Sequence, residues 1–183
     1  MFKPLVSILA FTSLVLFNVS VAHHVSDHKV DDISLTKGHA RVIVSVSGSS
    51  VEVELYIPTV NMVSFEGEPS DSVQQAEFDG ASTWLAEANN ALTFSAEAEC
   101  VAVVSEVNIS NIDGKAKADN TALAEFDAYY IFECAKPEEL GQVTVNLFEH
   151  YPTHKEIFSK RQGIGKTKRG KLSPAENKIG LSE

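Results

Sequence analysis

Two-residue alternation of apolar and polar side chains is the clearest pattern in the chain. In "HARVIVSVSGSSVEVELYIP", residues 39–58, two β-branched runs flank Gly48-Ser49. That rhythm around a turn pair predicts a β-hairpin, with Pro58 ending the second strand. It returns in "ECVAVVSEVNIS" and "AEFDAYYIFEC", which the turn-rich "NIDGKAKADN" joins into a second hairpin. "GQVTVNLFEHYP" predicts a further strand, preceded by a short turn or helical fragment at Pro137 and Glu138. "EIFSKRQ" and "GKTKRGKL" predict a last, basic hairpin around Gly163 and Gly165. From Pro69 the period changes. Val73, Ala76, Phe78, Ala81, Trp84, Leu85 and Ala88 recur near helical spacing, with Ser70 or Ser72 as N-cap and Gly80 as the weak point. The connector "NMVSFEGEP" holds Met62, Val63 and Phe65, which must find burial. The expectation is an α+β fold: one domain over 39–183, an antiparallel β-sheet with one principal helix packed on it.

The N-terminus follows different rules. Lys3 precedes an apolar run from Leu5 to Phe17, and Ser20-Val21-Ala22 places small residues where a signal peptidase reads. The run is about 13 residues, short of the roughly 20 that span a bilayer. Residues 1–22 therefore read as a secretory signal peptide cleaved after Ala22. No later segment is apolar enough to cross a membrane, so the processed chain is expected to be soluble. Residues 23–38 are polar and read as a flexible arm rich in His and Asp.

Charge and cysteines refine this picture. A formal net charge of −10 argues against nucleic acid as a partner. The acid is unevenly spread: Lys155, Lys160, Arg161, Lys166, Lys168, Arg169, Lys171 and Lys178 crowd the C-terminal part. A solvated edge strand is the plain reading of that basic tail, and a surface for an acidic partner the sharper one. The two cysteines of an exported chain predict one disulfide. Folding the second hairpin back near Lys117 sets Cys100 opposite Cys134. Flanking Glu99 and Glu133 would raise a thiol pKa, which argues against a catalytic cysteine.

Most catalytic motifs fail on context. "GIGKT" has Lys160 where a phosphate-binding loop needs glycine, and no helix follows it. "HYPTHKE" sets His150 and His154 four apart beside Glu149 and Glu156, but Pro152 bars the single helical face a zinc protease uses. A turn at Tyr151-Pro152 would be needed to join them at one metal. Asn108-Ile109-Ser110 fits a glycosylation sequon. No serine or threonine lies in a nucleophile pattern, and the chain is not expected to be an enzyme. The N-terminal cluster holds up better. His23, His24 and His28, with Asp27, Asp31 and Asp32, mix imidazole and carboxylate, the donor types zinc accepts. The alternative is a polar arm whose histidines do nothing. A second candidate set is His39, Glu66, His150 and His154, if an antiparallel rim gathers them.

The runs "GHARVIVSVSGSSVEVELYIPTVNMVSFEGEP", "YYIFECAKPEELGQVTVNLFEHYP" and "LSPAENKIGL" resemble the ZrgA-like proteins, zinc-regulated periplasmic proteins of Gram-negative bacteria linked to zinc uptake. The likeness covers nearly all of the chain after the leader. It implies a periplasmic, non-enzymatic zinc-binding accessory protein that supports a zinc ABC importer. This chain departs from that family in two respects: the long histidine- and acid-rich loop expected between the cysteine strands is replaced by "NISNIDGKAKADN", which has no histidine, and Glu66-Gly67 stands where relatives often have histidine after the "FE" of the connector. Zinc at low stoichiometry, on the arm or on His39, Glu66, His150 and His154, is what the resemblance then implies. A protein-interaction module that has lost its metal is the rival. The sequence does not separate zinc from copper or nickel.

Overall fold

The computed structural model describes residues 35–112 and 123–182. The chain divides into the units Met1–Asp32 and Ile33–Glu183, and every described residue belongs to the second. Its elements run β1 (His39–Ser47), β2 (Ser50–Pro58), α1 (Ser72–Ala86), α2 (Ala88–Ala91), β3 (Leu92–Phe94), β4 (Cys100–Ser110), β5 (Glu125–Cys134), β6 (Gln142–Val145), α3 (Leu147–His150), β7 (Glu156–Gln162), β8 (Lys168–Leu172) and β9 (Lys178–Gly180). Six strands form one sheet in the order β4-β5-β2-β1-β7-β8, and three form a smaller one, β3-β6-β9.

The first hairpin follows directly from its alternation. Ser47 pairs with Ser50 across the two-residue turn. Val42, Val44 and Val46 face inward beside Val51, Val53 and Leu55, all buried. The cysteine hairpin also forms as its sequence implies. Cys100 lies opposite Cys134, and the register shifts by one residue between Ala102 and Val104. The extra residue is a β-bulge on an edge strand, a usual place for one. The two sulfurs are bonded at 2.02 Å.

Helix α1 covers the inner face of the large sheet. Its N-cap is Asp71, between the two serines expected there. The Asp71 carboxylate accepts from the Val73 and Gln74 amides, at 2.9 Å each. Phe78, Ala81 and Leu85, at helical spacing, are buried, whereas Val73 is exposed. Phe78 meets Phe126 of β5 at 5.0 Å between ring centres. The buried Tyr130 hydroxyl donates to the Leu85 carbonyl at 2.7 Å, fixing the helix to the sheet. The small sheet packs on the same side, where Phe94 meets Phe132 at 4.7 Å. Gly80 does not interrupt the helix.

Two expectations need correction. The large sheet is mixed, not antiparallel: β1 and β7 run parallel, with His39 opposite Glu156 and Ser45 opposite Gln162. The cause lies just before β7. The amides of Lys155 and Glu156 both donate to the Gly38 carbonyl, at 2.7 and 3.2 Å. The strand therefore starts where β1 starts and runs the same way. The strand expected over "GQVTVNLFEHYP" also stops early, at Val145, and Leu147–His150 form a helical turn. Adjacent Leu147 and Phe148 are both buried. A strand sends neighbours to opposite faces, but a helical turn can put both into one core. The basic hairpin forms, and β8 is an edge strand with Lys168, Arg169 and Lys171 exposed.

Arg161 of β7 points inward and is only 2% exposed. Its guanidinium donates to the carbonyls of Ser182 at 3.0 Å and Lys166 at 3.3 Å, tying the last residues to the β7–β8 turn.

Two substitution sets test this architecture. Replacing Cys100 and Cys134 with alanine opens a loop closed across 34 residues. The expected cost, read by chemical denaturation, is about 3–4 kcal/mol. The glycines should respond in opposite directions. A Cβ at Gly80 meets nothing within 4 Å, so Gly80→Ala is expected to stabilise the helix by about 0.5–1 kcal/mol. At Gly163, where φ is +91°, a Cβ would fall 1.9 Å from the Val46 carbonyl oxygen, so Gly163→Ala should be strongly destabilising.

Candidate metal-binding site

The four body residues proposed as ligands are placed by two elements and two loops. His39 opens β1, held from below by Asn61. The Asn61 side chain accepts from the Gly38 amide and donates to the His39 carbonyl, both at 2.7 Å. The His39 ring lies on the outward side of the sheet, stacked on Phe158 at 5.7 Å and 18°. Its Nδ1 is 2.8 Å from Thr36 Oγ1.

His150 ends α3 and faces the other way. Its exposed ring stacks on Trp84 of α1 at 4.8 Å and 12°, with Tyr151 edge-on to both. Because α1 packs on the inner face, His39 and His150 stand on opposite sides of the sheet. Glu66 is exposed in the connector after β2.

His154 is only 2% exposed. Its Nδ1 is 2.9 Å from the Tyr151 carbonyl, which accepts a hydrogen and so identifies Nδ1 as the protonated nitrogen. Nε2 then carries a lone pair, and it is buried without a partner. A metal-bound histidine uses the same tautomer, its second nitrogen donating to a backbone carbonyl. Here Phe148 and Tyr151 stand edge-on to the ring, each at 6.5 Å. Burial pushes the imidazole pKa below its usual value, opposed by the bond to Tyr151.

Among the described residues, no three of His, Cys, Asp and Glu come together as a group that could hold a metal ion. The shared site of His39, Glu66, His150 and His154 is therefore not assembled. The expected antiparallel rim is replaced by the parallel β1–β7 seam and the α3 turn, which send the three imidazoles in three directions. His23, His24, Asp27 and His28 lie outside the described residues. The stack of Trp84, His150 and Tyr151 has no counterpart in the sequence reading; its one signal is an aromatic next to a histidine at the end of an apolar run.

The family model described as "ZrgA family zinc uptake protein" matches residues 34–181. The chain belongs to the ZrgA family. The matched span takes in both sheets, α1, the disulfide and the three body histidines. It stops short of His23, His24 and His28. No curated protein matches the chain in sequence. Among the described residues no helix is long and apolar enough to cross a membrane.

The His154 environment makes a pH prediction. Its folded pKa is depressed, so the unfolded chain takes up the proton first as pH falls below about 6.5. Stability is thus present above that pH and lost progressively below it. Thermal unfolding between about pH 7.5 and pH 5 should show the loss, and His154→Leu should remove the share due to this residue. That share is at most about 1.4 kcal/mol per pH unit.

Proposed function

We propose that the protein is a periplasmic, non-enzymatic accessory of zinc uptake that binds zinc at low stoichiometry and serves a zinc ABC importer. The observation that carries this reading is membership of a zinc uptake family over residues 34–181. The export reading rests on the leader-like residues 1–22, and the Cys100–Cys134 bridge suits an oxidising compartment.

The collecting element is assigned to His23, His24 and His28, with Asp27 as the carboxylate donor. Three of the chain's six histidines fall in this stretch of six residues, the densest set of zinc-type donors in the sequence. Neutral imidazole and carboxylate together satisfy zinc's usual four-donor shell, with water or a partner filling any open position. In the body, His154 is enclosed by packed side chains, and His39 and His150 each rest on an aromatic ring. Their chemistry is better matched to packing than to ligand capture.

Isothermal titration of the purified protein with zinc tests the proposal. Low-stoichiometry binding of weak to moderate affinity is expected at neutral pH, fading below about pH 6 as imidazoles protonate. Deleting residues 23–32 should abolish it while leaving thermal unfolding unchanged. An unchanged isotherm after the deletion would move zinc to the body. No zinc uptake by the intact protein would overturn the reading altogether.

A further inference from the structure

The outward face of the large sheet is divided by charge. Strands β4, β5 and β2 contain no lysine or arginine, and they present Glu106, Asp127, Glu52 and Glu54 outward. Strands β1, β7 and β8 present Arg41, Lys160, Arg169 and Lys171 on the same face, with Glu156 as their one outward carboxylate. One register line shows the division. It runs from Glu106 through Tyr129, Glu54 and Ile43 to Lys160 and Arg169, acid at one end and base at the other. Apolar side chains lie among these charges: Ile43 is 5% exposed, and Tyr56, Tyr129, Ile131 and Phe158 are half-buried. Helix α1 and the small sheet both pack on the inner face, and no described element is packed over the outer one.

The geometry points to this face as a self-association surface whose occupant is a second copy of this chain. A two-fold axis running along the strands at the β1–β2 border turns one copy over and exchanges left with right. The acidic half of each copy then covers the basic half of the other, and both contacts are identical, as a closed dimer requires. An axis across the strands would set acid on acid, so charge selects one arrangement. The selected one keeps the strands of the two sheets aligned, a common mode of sheet packing.

Size is consistent with this. Six strands at about 4.8 Å spacing span about 24 Å, and strands of five (β8) to eleven (β4) residues average about 28 Å in length. That approaches the roughly 800 Å² per partner of a standard specific interface. The protein's net charge of −10 opposes association at long range. At about 0.15 M salt the screening length is about 8 Å, which suppresses that repulsion while leaving pairs in direct contact.

Sedimentation velocity of the purified protein, in EDTA to exclude metal bridging, is the test. A dimer is expected at about 0.15 M salt, weakened about tenfold or more at about 1 M, where screening reaches contact distances. Two charge-reversal variants sharpen it: Glu52→Lys with Glu106→Lys, and Lys160→Glu with Lys171→Glu. Each alone should be monomeric, because like charges then face each other at both contacts. An equimolar mixture of the two should dimerise again, an outcome that also demonstrates that both variants are folded. The proposal is overturned by a monomeric wild type at both salts, by a dimer that both variants retain, or by variants that stay monomeric when mixed. It does not depend on zinc, and a negative zinc titration would leave it standing.

Discussion

Strand β1 is bonded along both edges, to β2 on one side and to β7 on the other. The β2 contact is local, closed by a two-residue turn. The β7 contact joins residues far apart: Gln162 donates to Ser45 Oγ at 2.9 Å across 117 positions. Ala40, Val42, Val44 and Val46 make β1 apolar and buried on its inner side. Without β7, its second edge would be a row of unpaired amides and carbonyls beside that core, each costing about 1–3 kcal/mol if kept from water. The parallel seam also carries Arg161, opposite Val44, whose bonds to Ser182 and Lys166 hold the end of the chain. Strand order, C-terminal docking and the placing of His39 all depend on this pairing.

The parts legible in the sequence are those whose partner is nearby. Alternation around Gly48-Ser49 specifies the first hairpin, and the symmetric spacing of Cys100 and Cys134 about their turn specifies the second. Even there the bulge between Ala102 and Val104 was hidden, because a one-residue slip leaves the apolar pattern of an exposed edge strand almost unchanged. The β1–β7 pairing left no local trace, since parallel neighbours are joined by a long excursion and not by a turn. The α3 turn did leave a trace. Val143, Val145 and Leu147 continue the strand rhythm, and Phe148 directly after Leu147 breaks it. The N-cap at Asp71 was ambiguous for a simpler reason: three capping residues stand in a row, and only backbone geometry chooses among them.

The body histidines show how little spacing says about convergence. His150 and His154 are four apart, yet one lies exposed on Trp84 and the other is buried with its Nε2 unpartnered. The difference comes from the turn at residues 151–154, where the His154 amide and ring both bond the Tyr151 carbonyl and draw the side chain inward. His39 goes to the opposite side of the sheet because β1 alternates, and position 39 shares the outward parity of Arg41 and Ile43. Each imidazole is thus placed by the demands of its own element.

The charge division of the outward face has the same origin. In chain order the acidic and basic strands are mixed, β1 being joined directly to the acidic β2, and composition reports only their sum. Spatial order separates them, because β5 and β4 add beyond β2 while β7 and β8 add beyond β1. Arg41 marks the border. Its guanidinium lies 4.6 Å above the Tyr56 ring, and Tyr56 in turn donates to Glu54 at 2.6 Å. Burial lowers the Arg41 pKa, while Tyr56, Glu125, Glu54 and Asp127 act to raise it, so this cation answers to the acidic side although its strand belongs to the other. An arginine keeps its charge under such burial. Desolvation acts on Asp127 in the opposite chemical sense, raising its pKa against Arg41 and a hydrogen bond from Ser110. The acidic and basic halves of the face therefore meet at the β1–β2 border, where Arg41 stands opposite Tyr56 and both side chains are half-buried.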